Sequence, residues 1–152
     1  MEQLQLSESE KKKRYLRGYR ISIRRLKRLQ SELTEVRSMK LGVSVNYDGM
    51  PHGSNGTGDL SGYAADLDKL ERGIQAERYR RIKNYKSIKK CIDGLEDDRE
   101  SDVLFYRYIK GFEWYQVAEV MGFSERHITR LHGKALAHLN VPKDVLECPI
   151  QK

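Results

Sequence analysis

The chain has 152 residues, enough for one domain or two small ones. Hydrophobic residues make up 38% and charged residues 34%, and the net charge is +7, which predicts a modest core under a charged surface that suits nucleic acid or another anionic partner. No apolar run approaches the roughly 18 residues of a membrane span, and the stretch Met1 to Glu10 is acidic and polar rather than signal-like, so no membrane partner and a cytoplasmic location are expected.

A first long helix is expected from about Ser7 to Lys40, with Ser7 and Glu10 at capping-box spacing. Tyr15, Tyr19, Leu26, Leu29, Leu33 and Val36 follow a seven-residue repeat, widened by Leu16 and Ile23 and interrupted at Ser22. Such a stripe buries against another helix, in the same chain or in a second copy. The other faces carry Lys11, Lys12, Lys13, Arg14, Arg17, Arg20, Arg24, Arg25, Lys27 and Arg28, the densest positive charge in the sequence. These read as a solvated surface, with an auxiliary phosphate-contacting face as the alternative.

The helical pattern stops across a glycine-rich connector, 41–62, where Asp48-Gly49 and Asn55-Gly56 are turn dipeptides. The Walker spacing is absent, so these glycines do not predict a nucleotide cradle. Val43, Val45 and Tyr47 alternate, which suggests a short extended piece. A second long helix should start near Asp59 or Ser61 and run to about Ile92. Tyr63, Leu67, Leu70 and Ile74 form its stripe, Tyr85, Ile88 and Ile92 resume it, and looser packing is expected over Glu77 to Arg81. Two such helices suggest an antiparallel, coiled-coil-like hairpin, and homo-oligomerisation through it.

Asp93, Glu96, Asp97, Asp98, Glu100 and Asp102 surround the next helix start. Negative charge is stabilising there, and Asp97 with Glu100 has capping-box spacing, so a structural role is preferred over acid–base chemistry. That helix runs from about Asp98 to Lys110, with Gly111 as its stop. Cys91 and Cys148 form no metal or C-x-x-C spacing, and His52, His127, His132 and His138 do not converge, so no metal and no cofactor is expected.

Trp114 to Gly133 reads as a helix-turn-helix. Ala118 is small where two helices must approach, and Gly122 falls at the bend four residues later. Val117, Met121 and Phe123 can fill the wedge, with Ile128 and Leu131 facing into it from the second helix. Ser124 can cap that helix and Glu125 follows in its first turn. Its outward residues would then read DNA. Arg126 and Arg130 can bond guanine edges, Glu125 can accept from cytosine, and Thr129 can touch thymine methyl or phosphate. Ser124, His127 and Lys134 lie on or beside this surface, and Gln116 begins the preceding helix, whose free N–H groups suit a phosphate. Gly133 leaves room for the DNA backbone. Trp114 is left open between core and interface. Ala135, Leu136 and Leu139 extend the buried face, Asn140 and Pro142 end the helix, and a loosely ordered tail follows.

The segment from about Leu95 to Leu139 resembles the fourth region of sigma-70-type transcription factors. Asp102 to Gly111 is similar to that region's first core helix, and Glu125 to Leu139 to its recognition helix. The whole chain resembles late-gene transcription regulators of Gram-positive phages and prophages, of the ArpU and RinA type, which join a basic helical N-terminal half to a sigma-like module. Their Tyr-Asp-Gly-Met-Pro-type loop is matched at Tyr47 to Pro51. The resemblance implies a bacterial host cell, double-stranded DNA as partner, and contact with RNA polymerase. No promoter-melting segment precedes the hairpin, so an activator or sigma-like accessory protein is expected rather than a complete sigma factor.

The expected architecture is therefore all-α: a basic hairpin over 1–95, a sigma region-4-like helix-turn-helix domain over 96–141, and a tail over 142–152. The leading functional expectation is a sequence-specific DNA-binding transcription regulator. A small terminase-like packaging component, and a sigma-like module that grips polymerase or another protein without reading DNA, are the alternatives. An enzyme is not expected, since no nucleophile–base pair, metal set or cofactor loop, and hence no catalytic residue, was found.

Overall fold

Glu8–Leu41 forms α1, and Ser7 starts it as expected, its hydroxyl accepting the Glu10 N–H at 3.3 Å. In this computed structural model residues 6–41 and 57–147 are described; the extended piece at 43–47, the Tyr47–Pro51 loop, most of the glycine-rich connector and Cys148 lie outside them. Thr57–Asp93 is α2, Asp98–Leu104 is α3, Trp114–Met121 is α4, Glu125–His138 is α5, and Lys143–Glu147 is a short α6. No strand occurs among the described residues, so the fold is all-α, with two long helices preceding a helix-turn-helix.

The helix expected over 98–110 changes character midway. Phe105–Lys110 continues α3 as a π-helical segment. Buried Val103 and Leu104 are followed five residues later by buried Tyr108 and Ile109. An α-helix would keep Tyr108 on the face of Leu104 but turn Ile109 well away, whereas the wider i→i+5 turn brings Ile109 back toward that face, where all three join one buried cluster. Gly111 then stops the segment at φ 75°, its N–H bonded to the Tyr106 carbonyl.

The chain divides into two compact units, Met1–Ile21 with Arg81–Lys152, and Ser22–Arg80. In the second, Leu26 and Ile74 are buried, Leu29 packs on Gly73, and Arg37 pairs with Glu71 at 2.9 Å, which sets α1 and α2 antiparallel there. The apolar-poor stretch near Glu77 is not simply loose. The Glu77 carboxylate is buried and paired with Arg80 at 2.6 Å, although its Oε1 has no hydrogen-bond partner. Ser22 is also buried rather than interrupting the stripe at the surface.

The first unit brings together residues from the expected hairpin and helix-turn-helix segments. One buried cluster joins Leu16 of α1 and Ile88 and Ile92 of α2 to Leu95, Leu104, Tyr108, Ile109, Ala135, Leu136 and Leu139. The boundary expected between 95 and 96 runs through this cluster. Tyr15 lies beside it, hydrogen-bonded to Ser87, and Tyr19 packs on half-exposed Tyr85 with ring centroids 5.5 Å apart. α6 replaces part of the expected loose tail.

The basic face of α1 is likewise not wholly solvated. Lys12 is only 5% exposed, and its ammonium donates to the Leu136 carbonyl at 2.9 Å while pairing with Glu8 at 2.8 Å. Lys11 donates to the Leu146 carbonyl at 2.5 Å, and Arg20 to the Ile109 carbonyl at 3.5 Å. Each carbonyl lies in the last turn of a helix or at its end, where no further turn can bond it and where positive charge is favoured. The long stems of these residues made them look like surface residues, but such stems can cross apolar ground to reach a buried acceptor.

Truncation of Leu16, fully buried in the shared cluster, should therefore destabilise the helix-turn-helix itself. Leu16→Ala is expected to lower stability by about 2–5 kcal/mol, read by the fluorescence of Trp114, the sole tryptophan, in urea titration. An unchanged Trp114 transition would mean that the helix-turn-helix folds without α1.

Candidate nucleic-acid interface

The helix-turn-helix is built as its sequence demands. Val103, Val117, Ala118, Ile128 and Leu131 make a second buried cluster, with Tyr106, Phe112, Trp114, Met121 and Phe123 packed against it. Gly122 has φ 70°, and both its N–H and that of Phe123 bond to the Ala118 carbonyl. Only a left-handed residue can close α4 this way, which glycine does without a Cβ penalty. Ser124 caps α5 by accepting the His127 N–H at 3.2 Å. These contacts fix the angle at which α5 leaves the bend.

With Ile128, Leu131, Ala135 and Leu136 turned inward, Ser124, Glu125, Arg126, His127, Thr129, Arg130, Gly133 and Lys134 are all exposed. Arg126 and Arg130 stand one turn apart on that face, and neither makes an ion pair or hydrogen bond with a described residue. The Thr129 hydroxyl turns back to the Glu125 carbonyl at 3.0 Å, leaving its methyl group for outside contact. His127 leans on Phe123, with ring centroids 4.7 Å apart. The half-buried Gln116 uses its amide oxygen to accept the Glu113 N–H at 2.9 Å, so its first task is closing the start of α4. An added Cβ at Gly133 would meet nothing within 4 Å.

Residues 91–140 match the family model for sigma-70, region 4. Sigma-70 region 4 is a DNA-binding, transcription-related module, and this module forms the C-terminal helix-turn-helix of the chain. The comparisons with curated proteins and with solved structures gave no match. The matched segment leaves out Leu16, Lys12 and Ile88, which pack against it in the same unit. No helix among the described residues is long and apolar enough to cross a membrane, and no group of metal-ligating side chains is found among them.

Two polar contacts of the sigma region 4 module escaped the sequence reading. His132 is buried on α5, its Nε2 2.9 Å from the Tyr108 hydroxyl, with the Trp114 ring edge-on at 4.8 Å. Arg107 stacks over Trp114 at 4.5 Å and bonds the Phe112 carbonyl at 2.8 Å. Trp114 is thus an internal strut between cation and imidazole. The signal for His132 was its place four residues after Ile128 and three before Ala135, on the inward stripe. The second contact revises the expected capping box. Asp97 caps α3 through the Arg99 N–H at 2.9 Å, but the buried Glu100 carboxylate bonds His138 Nδ1 at 2.8 Å instead of reaching back.

Burial lowers the His132 pKa from 6.5 to about 4, helped by the nearby positive charges of Lys13, Arg107 and Arg17. Burial also raises the Tyr108 hydroxyl above its ordinary value. In the folded chain His132 is therefore neutral near pH 7. Between pH 6.5 and about 4 the unfolded chain binds a proton that the folded chain refuses, so stability falls as pH drops through that window. One such proton contributes a slope of at most about 1.4 kcal/mol per pH unit. His132→Gln, which keeps a hydrogen-bonding group but does not titrate, should flatten the urea midpoint against pH between 6.5 and 4 relative to the parent. Parallel curves for the two proteins would show that His132 carries no such linkage.

Proposed function

We propose that the chain is a sequence-specific DNA-binding transcription regulator whose sigma region 4 module reads the major groove through α5. The observation that carries this reading is the exposure of Arg126 and Arg130, one turn apart, opposite the buried Ile128 and Ala135. Two guanidiniums so placed can each meet guanine O6 and N7, the commonest specific contact of a major-groove helix. Glu125 and Thr129 supply the acceptor and the methyl contact between them. Ser124, His127 and Lys134 flank the row, and phosphate contact is their task, as it is for Gln116 at the start of α4. Such a module on a basic helical N-terminal half supports a late-gene activator or sigma-like accessory factor of a phage or prophage, working on double-stranded DNA with RNA polymerase as its second partner in a bacterial cytoplasm.

A site selected by the parent from random duplexes should bind Arg126→Ala and Arg130→Ala more weakly by about 1–3 kcal/mol each, with relaxed preference at one position apiece. Parent-like affinity and preference in both variants would remove α5 from base reading. Polymerase binding without duplex binding at low salt would make the module a protein adaptor.

Gly133 offers a test that separates folding from binding. Gly133→Ala fills open space on a helix and should stabilise the fold by about 0.5–1 kcal/mol. The same methyl group stands where a duplex backbone approaches, so affinity for the selected site should fall while the melting temperature rises. A rise in both would show that α5 is not approached along Gly133.

A further inference from the structure

We propose that Lys13 and Arg17 of α1 form a second duplex-contacting row beside the recognition helix, gripping backbone phosphates outside the sigma region 4 match. The inference rests on the DNA-binding reading above and extends its footprint to a part of the chain that the family match does not include.

Between Glu8 and Arg20, α1 carries six cations and two carboxylates. Three of the cations turn to helix-end carbonyls, Lys11 to Leu146, Lys12 to Leu136 and Arg20 to Ile109. Arg20 also lies over Gly111, where an added Cβ would stand 2.5 Å from its Cζ. These contacts decide which side of α1 faces the helix-turn-helix. Lys13, Arg17 and Arg20 fall at i, i+4 and i+7, and so share one side of the helix. Arg20 is anchored at Gly111, the start of the short link into α4, and Lys12 is anchored at Leu136, near the end of α5. Arg17 and Lys13 lie between those anchors.

Their neighbours agree with this placement. Arg17 acts electrostatically on Tyr108 and His132, Lys13 acts on His132, and Arg107 acts on both. His132 belongs to the same turn of α5 as the exposed Thr129 and Gly133, so the row acts on the turn that carries them. Arg107 over Trp114 places a further cation at the first residue of α4. Lys13 spends part of its charge on Glu10 at 2.7 Å. Arg17 is exposed and makes no hydrogen bond or ion pair with a described residue. The Glu10 carboxylate is within electrostatic reach of Arg17 but does not pair with it directly, and an exposed cation so placed beside a base-reading helix meets the requirement for a phosphate contact that releases counterions.

The test is a salt series of binding to a random-sequence duplex, comparing the full-length parent, the double variant Lys13→Gln with Arg17→Gln, and Lys86→Gln. Lys86 is exposed on the opposite side of α2 from Ile88, and its substitution removes one charge away from the row, against the double variant's two. Each lost phosphate contact makes the slope of log K against log salt shallower by about 0.9. The double variant should therefore lose about 1.8 of slope, Lys86→Gln almost none, and the base preference of the selected site should remain as in the parent. A double variant with the parent's slope and affinity overturns the row while leaving the DNA-binding reading intact. A loss of about 0.9 of slope in Lys86→Gln, in proportion to its single charge, also overturns it, because diffuse charge would then account for the effect. A parent that binds no duplex at low salt overturns the DNA-binding reading and the row with it.

Discussion

A helix ends in carbonyls that no further turn can satisfy, and in the first unit α1 supplies the donors for three of them. Leu136 shows the constraint most clearly. Its side chain is buried with Leu16, Ile88 and Ile92, and its carbonyl takes the Lys12 ammonium. A desolvated lysine is costly unless it is bonded and paired. Glu8 and Leu136 give Lys12 both partners, so the charge holds the register between α1 and α5. Everything that α5 presents outward depends on that register and on the bend at Gly122.

The second organising feature is the stack behind the exposed face. Arg107, Trp114, His132 and Tyr108 touch in sequence, with an ion over a ring, a ring edge on an imidazole, and an imidazole against a hydroxyl. The imidazole stays neutral because it is buried among cations. A neutral ring accepts or donates one bond to Tyr108 without adding charge beneath α5. The stack connects the π-helical segment, the first residue of α4 and the middle of α5, which are the elements that must stay fixed if α5 is to meet a groove in one orientation. On the outer side of the same helix Arg126 and Arg130 are left with solvent, and the helix-turn-helix carries them on a rigid support.

The sigma region 4 match covers the helix-turn-helix and its supporting helix but stops short of the residues that complete their core. In this chain the module is finished from outside, by α1 and the end of α2. Cations that would otherwise have been free to face solvent or a ligand are thereby divided into two sets. Lys11, Lys12 and Arg20 are used internally, while Arg17 is left outside. The division follows from where helix ends fall in space.

The local chemistry was legible in the sequence. Apolar spacing gave the long helices and the wedge of Val117, Ile128 and Leu131; Ser7, Ser124, Gly111 and Gly122 marked starts and stops because caps and left-handed turns accept few residue types. The outward face of α5 followed from the same periodicity, so Arg126 and Arg130 could be picked out before any coordinates. What only the tertiary structure decided was long-range pairing. Nothing in the pattern around Lys12 names a carbonyl 124 residues away, nor does Glu100 announce His138. Periodicity reports which face of a helix is buried; which element covers that face, and which charge goes inside with it, depends on packing between segments distant in the chain.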